Sequence, residues 1–241
     1  NGAIGQIKEA LFNARAKRTR PGLDDKILTS WNALMLRGYV DADLALGDTI
    51  YLERAIRNAN FIQKSLLRPE GGLNRSYKEG KSGINAFLDD YATVILAWIS
   101  LYEATYNESW LEQASNLTDY AIDHFYDDST AMFFYTSDLD PPLVARKKEM
   151  TDNVIPSSNS LMAIALHRLG LFLYNENYLQ LSAQMLANMA STLESSSSPR
   201  FYSNWCNSYM DSLWPLYEVA VAGSDYVEYS LALQRNFVPN A

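Results

Sequence analysis

The stretch "DYATVILAWISLYEATYNESWLEQASNLTDYAI", residues 90 to 122, holds two unlike halves. In the first, Val94, Ile95, Leu96, Ala97, Trp98 and Ile99 follow one another without a polar break, so a helix there is apolar all round and calls for burial on nearly every face. The second opens on Asn107-Glu108-Ser109, continues with an aromatic and a leucine, and settles into a helical pattern. Two more copies follow the same plan. "WNALMLRGYVDADLAL" from Trp31 precedes "DTIYLERAIRNANFI" from Asp48, and "NSLMAIALHRLGLFLY" from Asn159 precedes "NENYLQLSAQMLANM" from Asn175. In the first copy Leu52, Ala55, Ile56, Ala59, Ile62 and Leu66 keep helical spacing, while Glu53, Arg54 and Arg57 hold the remaining face.

Tyr51 to Trp110 is 59 residues and Trp110 to Tyr178 is 68, so each repeat is long enough for more than one helix. Within the copies the register is kept: Asn32 to Tyr51 is 19, Asp90 to Trp110 is 20, and Asn159 to Tyr178 is 19. The unit is a helical hairpin with one buried and one half-exposed member. Alternating inner and outer antiparallel helices predict an all-α fold, an α/α toroid, with a curved solenoid as the competing architecture. About nine helices are expected, and residues 1–241 read as a single toroid domain or a fragment of one.

A β-prone piece follows each outer helix: "GGLNRSY" at Gly71, "MFFYT" at Met132 and "RFYS" at Arg200. The end of the chain predicts a brief β-prone run, a Gly-Ser-Asp turn and a last helix. Inner-to-outer links such as "LGDT" are tight, whereas outer-to-inner links are long and polar, so the long loops gather at one end. That mouth is the expected site. Asp24, Asp25, Lys26, Trp31 and Asn32 come to it first, followed by Asn74, Arg75, Tyr77, Lys78, Asp89, Asp90 and Tyr91. Tyr135, Lys147, Lys148, Glu149, Ser157, Ser158 and Asn159 make a third group, and Arg200, Tyr202, Asn204 and Trp205 a fourth.

Aromatic rings cover the apolar face of a pyranose while carboxylates, amides and guanidinium groups bond its hydroxyls, so this lining suits a sugar ligand. Asp24 or Asp25 and Asp89 or Asp90 are the expected acid and base, because paired carboxylates can cleave a glycosidic bond. Trp31 and Tyr91 are the expected stacking surfaces. The competing reading is structural, since Ser30, Asp90 and Asn159 at helix starts are ordinary capping residues worth about 1 kcal/mol each. His167, eight residues into an inner helix, is a candidate for the lumen, and an isomerase using it is a third possibility.

A net charge of -8 and an isoelectric point near 4.8 argue against a general nucleic-acid-binding or anionic-membrane surface. The basic cluster from Lys8 to Arg20 reads as a solvated helix end. The lone Cys206 matches no zinc spacing and fits a reducing compartment or a buried thiol, with a cytoplasmic location expected. Neither a membrane span nor a signal peptide is expected. No HExxH, P-loop, GxSxG or GxGxxG occurs in suitable context, so no metal or cofactor is expected.

"RTRPGLDDKILTSWNALM" from Arg18 closely resembles a motif of the thioredoxin-domain-containing protein family of the YyaL and spermatogenesis-associated protein 20 type. "GGLNRSYKEGKSGINAFLDDYA", "FFYTS", "PSSNSLMAIALHRLGL" and the closing "FVPN" extend the resemblance along nearly the whole chain. It implies the C-terminal, six-hairpin toroid part of a longer protein whose thioredoxin-like domain is absent here. The family's motif positions fall on Asp24, Asp25, Lys26, Trp31, Asn32, Arg75, Tyr77, Asp89, Asp90, Tyr91, Pro156, Ser157 and Asn159. Ala33 and Ser158 stand where the family usually has glycine. The resemblance also implies a non-enzymatic alternative, a scaffold serving the thioredoxin-like domain. Sugar epimerases of the wider toroid superfamily use a histidine pair on inner helices, of which only His167 has a counterpart here.

Overall fold

A computed structural model describes residues 2–234 apart from 143, 215, 216 and 218; the FVPN stretch lies outside them. Helix α1 spans Gly2–Ala16, and then three hairpins follow: α2 (Thr29–Leu46) with α3 (Ile50–Ser65), α4 (Leu88–Thr105) with α5 (Ser109–Phe125), and α6 (Ser158–Leu173) with α7 (Glu176–Ser195). Helices α8 (Ser203–Leu213) and α9 (Tyr226–Gln234) complete the described chain. The inner helices pack in sequence, α2 on α4, α4 on α6 and α6 on α8, while α3, α5 and α7 each cover their own partner from outside.

The apolar run predicted the centre of this arc. Every residue from Leu88 to Leu101 on α4 is buried, and each large aliphatic or aromatic side chain there contributes about 1.5 to 3 kcal/mol of transfer free energy. Trp98 of α4 meets Trp110 of α5 with ring centroids 5.2 Å apart. The outer helices bury one stripe only, Ala55, Ala59 and Ile62 on α3 for instance. The aromatic that opens α7 also joins a neighbouring hairpin: the Tyr178 hydroxyl bonds Asp119 and Ser115 of α5.

The inner helices of the three hairpins, α2, α4 and α6, each end on a residue in the left-handed region, Gly47 at φ 68, Tyr106 at φ 53 and Tyr174 at φ 51, which turns the chain into the outer helix at once. Glycine does this without steric cost, whereas the two tyrosines pay about 1 to 2 kcal/mol each for the same tight turn.

The long links carry β1 (Ile27–Leu28), β2 (Asn74–Lys78) and β3 (Lys81–Asn85), one antiparallel sheet in the order β1-β2-β3. Ile27 pairs with Tyr77 and Leu28 with Ser76. A second pair, β4 (Tyr126–Asp127) and β5 (Met132–Phe133), lies before α6. "RFYS" forms no strand; Pro199–Tyr202 is a short 3-10 helix. Pro199 fixes its own φ at a helix start and has no N–H for a ladder, and the Arg200 guanidinium stacks 4.8 Å from the Phe201 ring centroid. The described residues of the expected last β-prone run likewise contain no strand. Helix α1 buries no residue. Among the described residues no helix is long and apolar enough to cross a membrane.

Candidate functional site

Strand β2 carries a cation near each end, and each cation holds acids. Lys78 Nζ lies 2.6 Å from Asp25 Oδ1, and Lys26 Nζ lies 3.1 Å from Asp24 Oδ2. Bonds from Lys26 and Lys78 respectively hold Asp24 and Asp25 below the usual carboxylate range, so neither is a proton donor near neutral pH. Both are exposed, in the segment before β1 rather than at the start of α2.

Arg75 Nη1 donates at 2.9 Å to Asp89 Oδ1 and at 2.8 Å to Asp90 Oδ2, with its guanidinium 4.6 Å from the Phe87 ring centroid. Asp90 is wholly enclosed. Its Oδ2 also accepts from the Phe87 N–H at 3.0 Å and its Oδ1 from the Ser30 N–H at 2.9 Å. Burial, and then the negative charge of Asp89, push the Asp90 carboxyl up to about 6. For Arg75 burial opposes the charge, but Asp90 and Asp89 outweigh it and hold the guanidinium protonated. The Tyr135 phenol is raised by burial and by the negative charge of Asp89, and it also feels Glu149.

The start of α6 is built in the same way. Glu149 Oε2 accepts from the Ser158 N–H at 3.0 Å. Asn159 accepts from the Phe133 N–H at 2.9 Å and donates to the carbonyls of Phe133 and Glu149 at 3.0 and 3.1 Å. Ser157 caps the helix through Ser160. Asp152 Oδ1 takes the Ser157 N–H and Oδ2 the Asn204 N–H, both at 2.9 Å, so it ties α6 to α8 as Asp90 ties α4 to α2.

The four aspartates therefore do not share one cleft. Asp24 and Asp25 are exposed and paired with Lys26 and Lys78, and Asp89 and Asp90 are held by Arg75. Tyr91 presents no stacking surface: it is buried, its hydroxyl accepts from the Leu73 N–H at 2.9 Å, and its ring stacks on Tyr120 with centroids 5.5 Å apart. Tyr77 is half-buried, edge-on to Phe61. His167 is half-buried in α6, about 14 Å along the helix from Ser158, and burial lowers its pKa.

Trp31 is placed differently from all of these. Its side chain is 61% exposed at the edge of a cleft of about 540 Å³ lined also by Asp24, Lys26, Ile27, Leu28, Asn32, Asn58 and Phe61. Asn32 donates to the Leu28 carbonyl at 2.8 Å, and its own carbonyl accepts from Asn58 at 2.8 Å, which fixes the wall between α2 and α3. Asn58, Phe61 and Asp152 escaped the sequence reading. Asn58 and Phe61 sit three apart on one side of α3, a spacing that was legible, whereas Asp152 carries no local signal for its contact with α8. Among the described residues no group of three or more His, Cys, Asp or Glu is placed to hold a metal ion.

No family model matches the chain. It is 34% identical over 171 residues to spermatogenesis-associated protein 20 of Homo sapiens, a match covering 67% of this chain and 22% of that protein. An uncharacterized protein of Caenorhabditis elegans is 35% identical over 183 residues, covering 73% of this chain and 25% of that one. The chain thus spans about a quarter of the length of these relatives. Among solved structures, a GH76 alpha-mannanase of Bacteroides thetaiotaomicron superposes with a TM-score of 0.63 at 17% identity, over 90% of this chain and 59% of that one. A cellobiose 2-epimerase of Bacillus thermoamylovorans gives 0.62 at 12% identity, over 87% and 60%. The hairpin arc, its inner and outer layers and these superpositions together make the fold that of the α/α-toroid glycosidases and sugar epimerases.

Proposed function

We propose that the chain is a carbohydrate-binding, carbohydrate-active domain whose ligand lies across the Trp31 cleft. The exposed indole is the observation that carries this reading. It stands beside Asn32, Asn58, Asp24 and Lys26, so a flat apolar platform adjoins groups that bond hydroxyls. The superposition on a mannanase and a cellobiose epimerase supports the same class of ligand.

Asp89 is the carboxylate assigned to acid or base work. Asp90 spends both oxygens on backbone N–H groups and Arg75, whereas Asp89 meets Arg75 through one oxygen and has the Tyr135 phenol beside it. Asp89 does not line the cleft. An oligosaccharide rather than a single ring is the proposed ligand, because Asp89 lies outside the lining of the cleft that Trp31 edges. Calorimetric titration with manno-oligosaccharides and cello-oligosaccharides tests the proposal. Binding that is lost in Trp31→Ala is expected, and no binding of either series to the folded wild type would count decisively against it.

A second reading is a scaffold that serves a thioredoxin-like domain of a longer protein, in a reducing cytoplasmic setting where Cys206 stays unpaired. The use of Asp90 and Asp152 as braces between helix starts favours it. Co-purification of the two parts, unaffected by sugars, is its expected signature.

A further inference from the structure

The β2–β3 hairpin carries two lysines that the sugar reading leaves unused. Lys78 and Lys81 stand directly opposite each other in the ladder, two residues along from the pair Ser76 and Gly83. Opposite residues share one face of a sheet with Cβ atoms about 4.5 to 5.5 Å apart, and like charges so placed repel each other. Glu79 and Gly80, at φ 50 and φ 79, make the two-residue turn that holds the lysines together. On the other side of β2, Ile27 pairs with Tyr77, which brings Lys26 next to Lys78. Three ammonium groups thus stand in a row across the three strands.

They border a second cleft, of about 420 Å³, lined by the three lysines together with Ser76, Gly83 and Glu79. Lys26 lines the Trp31 cleft as well, so the two clefts meet at its side chain. The row is open to solvent: the Lys26 and Lys78 side chains are 48% and 42% exposed, and Lys81 is exposed. Acids temper this charge without using it up. Asp24 meets Lys26 through one oxygen at 3.1 Å and Asp25 meets Lys78 through one at 2.6 Å, which leaves donors on each three-donor ammonium. Neither aspartate lines the second cleft, and Lys81 is paired with no acid among the described residues. In the lining itself three cations face one carboxylate, that of Glu79.

We propose that this second cleft binds the anionic group, a carboxylate or a sulfate ester, of an acidic oligosaccharide whose neighbouring ring lies on Trp31. The inference rests on the sugar reading of the Trp31 cleft and narrows its ligand from oligosaccharides at large to acidic ones. A bound oxyanion lies between Lys78 and Lys81 and relieves their repulsion, and it accepts from Lys26 where the clefts meet. Bonds between ionised partners are about twice as strong as neutral ones, so the charged group sets the preference while the indole carries the ring.

The test is calorimetric titration of the chain at low salt with two matched pairs: tetragalacturonate against its methyl ester, and cellotetraose with and without one sulfate ester. An acidic member is expected to bind about tenfold or more tightly than its neutral counterpart, and the preference to shrink as added salt screens the lysines. A preference in one pair alone assigns carboxylate or sulfate as the group and upholds the site. Lys81→Gln is expected to cut the preference to about threefold or less, and Lys81→Glu to abolish it, while neither changes the affinity for neutral cellotetraose. The proposal is overturned if neither acidic ligand binds the folded wild type more tightly than its neutral counterpart, or if Lys81→Glu keeps the full preference. Neutral tetramers that bind through Trp31 with no acidic preference would sink this proposal alone, whereas no binding of any of the four ligands would sink the sugar reading with it.

Discussion

Asp90 accepts the backbone N–H of Ser30 at 2.9 Å and so fastens the first turn of α4 to the first turn of α2, although sixty residues of chain separate them. Its second oxygen serves the Phe87 N–H and Arg75. One carboxylate thus satisfies donors from two helix starts and a strand. Helix starts leave backbone N–H groups without intrahelical partners, and in a buried collar no water replaces them.

Asp90→Ala is therefore expected to destabilise the chain by about 3 kcal/mol, because two buried N–H groups lose their acceptor and Arg75 keeps only Asp89. Asp89→Asn, which removes charge from a residue with one bonded oxygen, is expected to cost less than half as much. Chemical denaturation of both variants at pH 5 checks the ranking, and equal losses would remove the distinction between the two carboxylates.

The pH dependence follows from the same burial. Because the folded carboxyl of Asp90 is raised to about 6, above an unfolded value near 3.9, the folded state holds the proton more tightly. Its contribution is full below pH of about 4 and is lost as pH rises through about 6, a change of about 3 kcal/mol. The stability gap between wild type and Asp90→Asn is expected to narrow over that interval in urea unfolding. Asp152 runs the other way. Burial raises its pKa, but bonds from Asn204, Ser157 and Ser203 outweigh that and lower it, so its share is present above its unfolded value and is lost as pH falls through its folded one.

The hairpins were legible because their helices differ in periodicity: an unbroken apolar run such as Val94–Ile99 has only one comfortable place, the middle of the arc. The site was legible only in part. Asp24-Asp25 and Asp89-Asp90 look alike as dipeptides, yet β1 inserts between the first pair and α2, which leaves those acids to solvent and lysines. Tyr91 shows the other limit. Sequence puts an aromatic at the mouth, but it does not say that the ring turns inward to Tyr120 and that its hydroxyl caps the Leu73 N–H. Such side-chain choices depend on partners 18 and more residues away, as the cross-chain reach of Asp152 to α8 also does.

Trp31 offers a clean separation of binding from stability. An indole 61% exposed has little packing to lose, so Trp31→Ala is expected to change the unfolding free energy by no more than about 0.5 kcal/mol. Its fluorescence is expected to respond to an oligosaccharide in the wild type, and the response to vanish in the variant. A large loss of stability would instead mark Trp31 as part of the core.

Gly170 probes the tight end of the third hairpin. A Cβ added there would stand 2.8 Å from both Cγ and Cδ2 of Leu179 and 3.2 Å from its backbone nitrogen, while the Gly170 carbonyl accepts from the Asn175 N–H at 2.9 Å in the turn into α7. Alanine is the better helix former by about 1 kcal/mol, so propensity alone predicts that Gly170→Ala stabilises α6. Close packing predicts the opposite, a loss of about 1 to 3 kcal/mol, because the Leu179 side chain can swing aside but the backbone of α7 cannot move without straining the turn. Thermal unfolding of Gly170→Ala, Leu179→Ala and the double variant separates the two effects. If packing dominates, truncating Leu179 is expected to recover part of the loss but not all of it, since the contact with the Leu179 nitrogen persists; stabilisation in the single glycine variant would show that α6 and α7 can part at this point.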